Sequence, residues 1–275
     1  MPSQRILVVA EDAGLRENLA LAVQRGGGLP VRVAGLAAVE GPQVTHRLVI
    51  FAWDGNLPAL RALISKLRES AQVIAVTPQR PLGDQVALLQ DPHVSHVLTQ
   101  DTRGLALLEV TVGKFVSGDL FGVEKYLPPG TDVKLTRLRD YQGREKAISE
   151  VLEYAERQGV RNRVRDKIGT VCVELLMNAL YDAPVDDRGN RVFEHVEAKD
   201  RIEQLAPRPV SIRYAMVDGL FAVSVRDRFG SLDKNTILRY IEKCLRSPNQ
   251  IDRKTYGAGL GIYLIANAAT HYVVN

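Results

Sequence analysis

Between residues 5 and 118, short apolar runs alternate with amphipathic segments. The runs are "RILVVA" (5–10), "PVRVAG" (30–35), "RLVIFAW" (47–53), "QVIAVT" (72–77) and "VSHVLTQ" (94–100). Such short, nearly continuous apolar runs are the pattern of strands buried on both faces. Helical periodicity follows in "EDAGLRENLALAVQRGG" (stopped by Gly26, Gly27 and Gly28), "LPALRALISKLRES" (57–70), "LGDQVALLQ" and "GLALLEVTVGKFVSG". Strands alternating with helices predict a five-stranded parallel sheet covered on both sides, a doubly wound α/β architecture.

The pattern dissolves at "GDLFGVEKYLPPGTD" (118–132), where Pro128, Pro129 and Gly130 mark a boundary. Three segments are expected: a domain over 1–122, a linker over 123–132 and a second domain over 133–275. In the second domain "VKLTRLRD" (133–140) alternates as a strand. Two helices follow, "REKAISEVLEYAERQG" and "RNRVRDKIGTVCVELLMNALYDA". After a polar insert, "PVSIRYAMVDGLFAVSVRD" reads as two strands around Asp218-Gly219, a strong hairpin signal. A polar helix, "DKNTILRYIEKCLRS", then leads through a loop to "GAGLGIYLI" (257–265). Strand, helices, hairpin and helix in that order predict a two-layer α+β domain with helices on one face.

Apolar content of 45% and charged content of 25% over 275 residues suit a soluble globular chain of two domains. No apolar stretch reaches bilayer-spanning length, and "MPSQRILVVA" lacks a signal-peptide layout. The two cysteines, Cys172 and Cys244, lack metal-ligand spacing and read as core residues of a cytoplasmic protein. The net charge of +4 is spread along the chain and gives no nucleic-acid signature, nor is a DNA-binding domain evident.

With the acidic pair Glu11-Asp12 ending its first strand and Thr77 ending its fourth, the first half resembles the receiver domain of response regulators, over about residues 4–120. The resemblance implies a flavodoxin-like fold in which such an acidic pair helps hold Mg²⁺. The position of the phosphoacceptor Asp, at the end of the third strand, is Ala52. Asp54 lies two residues on, on the same side and displaced by about 6–7 Å at normal strand rise. The lysine that ends a receiver's fifth strand is replaced by Gln100, and the aromatic expected before it by Val97. The resemblance therefore implies a pseudo-receiver kept for contacts, with Glu11, Asp12, Asp54 and Thr77 lining an acidic pocket that is not phosphorylated. Glu11 reads equally as a carboxylate favoured at a helix N-terminus.

Glycines in a helix entrance cost backbone entropy, so Gly257, Gly259 and Gly261 ask for a reason. Upstream, "VELLMNAL" sets Glu174 and Asn178 four apart on one helical face, and Asn178 among apolar neighbours needs a partner. "VRDRFGSL" ends a strand with Asp227, followed by a turn at Gly230. In the order E-x-x-x-N, D-x-x-G, G-x-G-x-G, these segments resemble the N box and two glycine boxes of the GHKL (Bergerat-fold) ATPases. That family includes histidine-kinase catalytic domains, anti-sigma serine kinases and gyrase-type ATPases. The likeness covers about 133–275 and implies ATP or ADP with Mg²⁺ as cofactors. It implies Asn178 as Mg²⁺ ligand, Asp227 as acceptor of the adenine amino group, and the three glycines around the phosphates. Glu174 corresponds to the general base. Lys254 reads either as a phosphate contact or as a solvated loop lysine. Phe229 and Ser231 depart from the usual D-x-G-x-G. The chain ends soon after the last glycine box, where the family adds a strand. A C-terminally truncated domain with a sheet edge open to another chain, a second copy included, is therefore expected.

None of His46, His93, His96, His195 or His271 lies in the helix before the ATPase-like half, so the layout resembles an anti-sigma kinase more than a sensor histidine kinase. The expected function is an ATP-binding signalling protein of two-component type, steered by its pseudo-receiver and acting on a partner protein in trans. The rival expectation is a non-catalytic nucleotide-sensing switch or scaffold.

Overall fold

A computed structural model describes residues 4–39, 46–193, 195–196, 200, 207–246 and 260–275. The chain divides into two compact units, Met1–Phe121 and Gly122–Asn275. No helix among the described residues is long and apolar enough to cross a membrane.

The first unit holds strands β1 (Arg5–Val9), β2 (Leu29–Val33), β3 (Leu48–Ala52), β4 (Gln72–Thr77) and β5 (Val94–Thr99). Its helices are α1 (Ala13–Arg25), α2 (Leu57–Ile64), α3 (Leu82–Leu89) and α4 (Thr102–Ser117). All strand pairs are parallel, in the order β2-β1-β3-β4-β5. This is the flavodoxin-like doubly wound order, whose ligand crevice lies beyond the carboxyl ends of the strands. Alternation along each strand feeds two cores. Ile6, Val8, Ile50 and Ile74 pack with Leu19 and Val23 of α1 and Leu108 and Val112 of α4. Leu7, Val9, Val49, Phe51 and Val73 pack with Leu60 and Leu63 of α2 and Leu88 of α3. The helix expected over 57–70 stops at Ile64. Two tighter bonds follow it, Lys66 N to Leu63 O and Leu67 N to Ile64 O. The Lys66 ammonium donates to the carbonyls of Leu36 and Val39 at 3.2 and 3.1 Å, tying the chain to a distant loop.

The second unit has an antiparallel sheet, β6 (Lys134–Leu138), β7 (Val210–Val217) and β8 (Leu220–Arg226), in that order. Its helices are α5 (Tyr141–Arg157), α6 (Asn162–Met177), α7 (Lys234–Arg246) and α8 (Leu260–Ala268). Asp218 (φ 48°) and Gly219 (φ 76°) are both left-handed, as a two-residue turn matched to strand twist requires. Leu138, Val210, Ile212 and Tyr214 of the sheet bury against Ala147 and Val151 of α5 and Cys172 and Leu176 of α6. Burial pushes the Cys172 thiol up to about 12, the state of a core thiol, whereas Cys244 on α7 is half-buried rather than core. Val123 and Leu127, in the stretch expected as linker, are buried, and a 3₁₀ turn, Val123–Tyr126, lies against β8.

The single helix expected over 161–183 is instead two pieces. α6 ends at Met177, and Asn178–Asp182 form a π-helical turn closed by Ala183 N donating to Asn178 O at 2.7 Å. Ala179, Leu180 and Tyr181 are all buried, a run that α-helical steps of 100° would spread around the helix. π turns recur at functional sites.

Candidate functional site

At the carboxyl edge of the parallel sheet Asp12 and Asp54 each accept from backbone nearby in sequence. Asp12 is the N-cap of α1, its Oδ1 accepting from Leu15 N at 2.6 Å. Glu11 is exposed. Arg16 Nη1 donates to the carbonyls of Ala10 (2.7 Å) and Glu11 (3.1 Å), placing a cation at the end of β1. Asp54 lies just beyond β3, which ends at Ala52, and precedes Gly55, whose φ of 115° is a conformation that glycine tolerates. Its Oδ1 accepts from Asn56 N at 2.9 Å, an Asx turn leading into α2. No described interaction joins Asp54 to Glu11 or Asp12, and among the described residues no group of three His, Cys, Asp or Glu could hold a metal ion. Thr77 ends β4, 2% exposed, and Gln100 N donates to its carbonyl at 3.0 Å.

In the second unit Glu174, Asn178, the turn after Asp227 and Gly261 come together near the C-terminal end of α6. Glu174 and Asn178 lie on successive turns, with Asn178 N donating to Glu174 O. The Glu174 side chain is half-buried. Burial raises its carboxyl pKa, Arg144 of α5 opposes the rise, and Asp182 in the π turn adds to it. Gly261, at the start of α8, faces Glu174 so closely that a Cβ there would overlap the carboxylate. Close packing on the Glu174 carboxylate therefore accounts for a glycine at this position. Asn178 is half-buried, and its side chain makes no hydrogen bond among the described residues. The partner expected for it inside the core is not there, and solvent access replaces it.

Asp227 closes the turn after β8, with Oδ1 accepting from Phe229 N (2.8 Å) and, at the limit, Gly230 N (3.4 Å); Gly230 is left-handed at φ 65°. Ser231 Oγ donates to Ala183 O at 2.8 Å, fastening this turn to the end of the π turn that begins with Asn178. Phe229 stands under Arg208, whose Cζ is 5.6 Å from the ring centroid and whose Nη1 donates to Arg228 O at 3.1 Å. Lys254, Gly257 and Gly259 lie outside the described residues.

Sequence reasoning missed Arg144 and Asp182, and read Ser231 only as a departure from the glycine box. Arg144 had a signal: it occupies the apolar stripe of α5 with Ala147, Ile148, Val151 and Ala155, and is itself buried over the Tyr141 ring (4.9 Å).

No family model matches the chain, and no curated protein matches it. Among solved structures, those matching over about the N-terminal two-fifths are largely response-regulator receiver domains. One from Methanospirillum hungatei is 20% identical, covering 42% of this chain and 95% of its own, with a TM-score of 0.33. One from Pseudomonas putida is 20% identical over 39% and 96%, with a TM-score of 0.30. A structure described as a CpaE2 pilus assembly protein from Sinorhizobium meliloti is 20% identical over 40% and 98%, with a TM-score of 0.33.

Proposed function

We propose that the second unit binds ATP or ADP with Mg²⁺ in the manner of a GHKL ATPase, and that the chain is a signalling protein whose first unit is a pseudo-receiver. The observation that carries the reading is the meeting of the Glu174–Asn178 helix end, the Asp227–Ser231 turn and the Gly261 helix start. The donor set fits. The Asn178 amide is uncommitted and accessible, and Asp227 keeps one carboxylate oxygen beyond its turn. The N-terminus of α8 favours an anion. Asn178 would ligate Mg²⁺, Asp227 would accept the adenine amino hydrogen, and Gly261 would keep backbone N–H groups bare. The bound nucleotide would supply a phosphoryl group activated by its metal.

Glu174 then accepts a proton from an incoming hydroxyl, either water or a Ser or Thr of a partner protein. Burial suits it to that role, because a carboxylate with raised proton affinity is a stronger base. Replacing Glu174 with Ala should lower turnover about 10²–10⁴-fold while leaving ATP affinity largely intact. The chain incubated alone with labelled ATP should stay unlabelled, and phosphohistidine on it would return it to the histidine kinases. The non-catalytic switch is the second reading, favoured by Gly261 lying against the Glu174 carboxylate. Unchanged hydrolysis and partner labelling in Glu174→Ala would select it.

A further inference from the structure

We propose that the carboxyl edge of β3 and β4 is a non-covalent site for a small oxyanion, built from Trp53, Thr77 and Arg80. Three side-chain atoms there, Trp53 Nε1, Thr77 Oγ1 and Arg80 Nε, are buried without a hydrogen-bond partner. Buried polar groups in native proteins nearly always have partners, so three orphans at one edge point to a ligand. Strand register brings two of them together. Ala52 pairs with Val76, and Trp53 N donates to Val76 O at 2.8 Å, so Trp53 and Thr77 leave neighbouring strands side by side. By strand alternation both project to the face of α2 and α3, the side where Trp53, Phe51, Val73 and Ala75 pack.

Arg80 closes the group. Its Cζ lies 5.3 Å from the Trp53 ring centroid, its Nη2 donates to Asp54 O at 2.7 Å, and Gln85 Nε2 holds its carbonyl at 2.9 Å. Among the described residues it has no carboxylate partner, and the neighbouring Asp54 directs Oδ1 to Asn56 N. Indole and guanidinium N–H groups can only donate, and the threonine hydroxyl can donate as well. Their complement is an acceptor, and the guanidinium charge selects an anionic one. Phosphate and carboxylate share that chemistry. No bond to Asp54 forms, which separates this site from acyl-phosphate chemistry and gives the pseudo-receiver an input that needs no phosphoacceptor.

Trp53 is the only tryptophan in the chain, so its emission reports on this site alone. The full chain is titrated with inorganic phosphate and, separately, with acetate, against chloride at equal ionic strength. A saturable change in Trp53 emission is expected with phosphate, acetate or both. A response to phosphate alone identifies a phosphoryl ligand, and a response to acetate identifies a carboxylate. In Arg80→Gln the apparent affinity should fall at least tenfold. Thr77→Val, which keeps the side-chain shape, should weaken it too, with circular dichroism unchanged. An emission insensitive to both anions overturns the proposal, as does a response that survives intact in Arg80→Gln and Thr77→Val.

Discussion

Replacing Ser231 with Ala tests whether the turn after β8 is held to the end of α6. The Ser231 hydroxyl donates to Ala183 O at 2.8 Å, and Ala183 is 7% exposed. A net hydrogen bond contributes about 0.5–1.5 kcal/mol, and a carbonyl left buried without a partner costs about 1–3 kcal/mol. Ser231 itself is exposed, so water can reach the carbonyl once the hydroxyl is gone, and the lower range applies. At about 1.4 kcal/mol per factor of ten, that corresponds to roughly a 2- to 12-fold change in a local opening equilibrium. Hydrogen exchange of a peptide spanning 178–183 reads it directly, because Ala183 N is the amide that closes the π turn on Asn178 O. Exchange there should accelerate by that factor, while peptides of β3 and β4 keep their rates. Unchanged exchange over 178–183 would mean that Ser231 does not hold the Asp227 turn against the helix end.

Two further outcomes follow from the electrostatics. The Glu174 pKa is raised on folding, so the folded state binds that proton more tightly than the unfolded chain. The stability it confers is complete below the ordinary glutamate range and is lost as pH rises through the folded value. Glu174→Gln should therefore be more stable than the parent at neutral pH, with the difference vanishing in acid; a denaturation series across pH that shows no convergence contradicts this. Acyl-phosphate donors should leave residues 1–120 unlabelled, since Asp54 sits in an Asx turn and Gln100 supplies no cation. Hydroxylamine-sensitive phosphate on Asp54 would refute that.

The sequence carried the first unit well because β4 is a continuous apolar run between polar neighbours, and the observed strand, Gln72–Thr77, has the expected bounds. The hairpin was equally legible, since Asp218-Gly219 admits few other conformations. What failed depended on contacts distant in sequence. α2 ends early where Lys66 reaches carbonyls at Leu36 and Val39, about thirty residues away, which no local periodicity encodes. Glu174 and Asn178 were findable from i, i+4 spacing, but the widening of the helix at Asn178 was not: it goes with three consecutive buried residues rather than with a breaker. Trp53 and Arg80 are 27 positions apart and meet only through the pairing of β3 with β4.

Isothermal titration of the full chain with ATP in the presence and absence of Mg²⁺ tests the central claim most directly. Saturable, Mg²⁺-dependent binding is predicted. Asp227→Asn should weaken it by about 1.5–3 kcal/mol, the range for a hydrogen bond to a charged group, or roughly 10- to 150-fold. Absence of binding to the parent chain, or equal affinity with and without Mg²⁺ and in Asp227→Asn, would contradict the account.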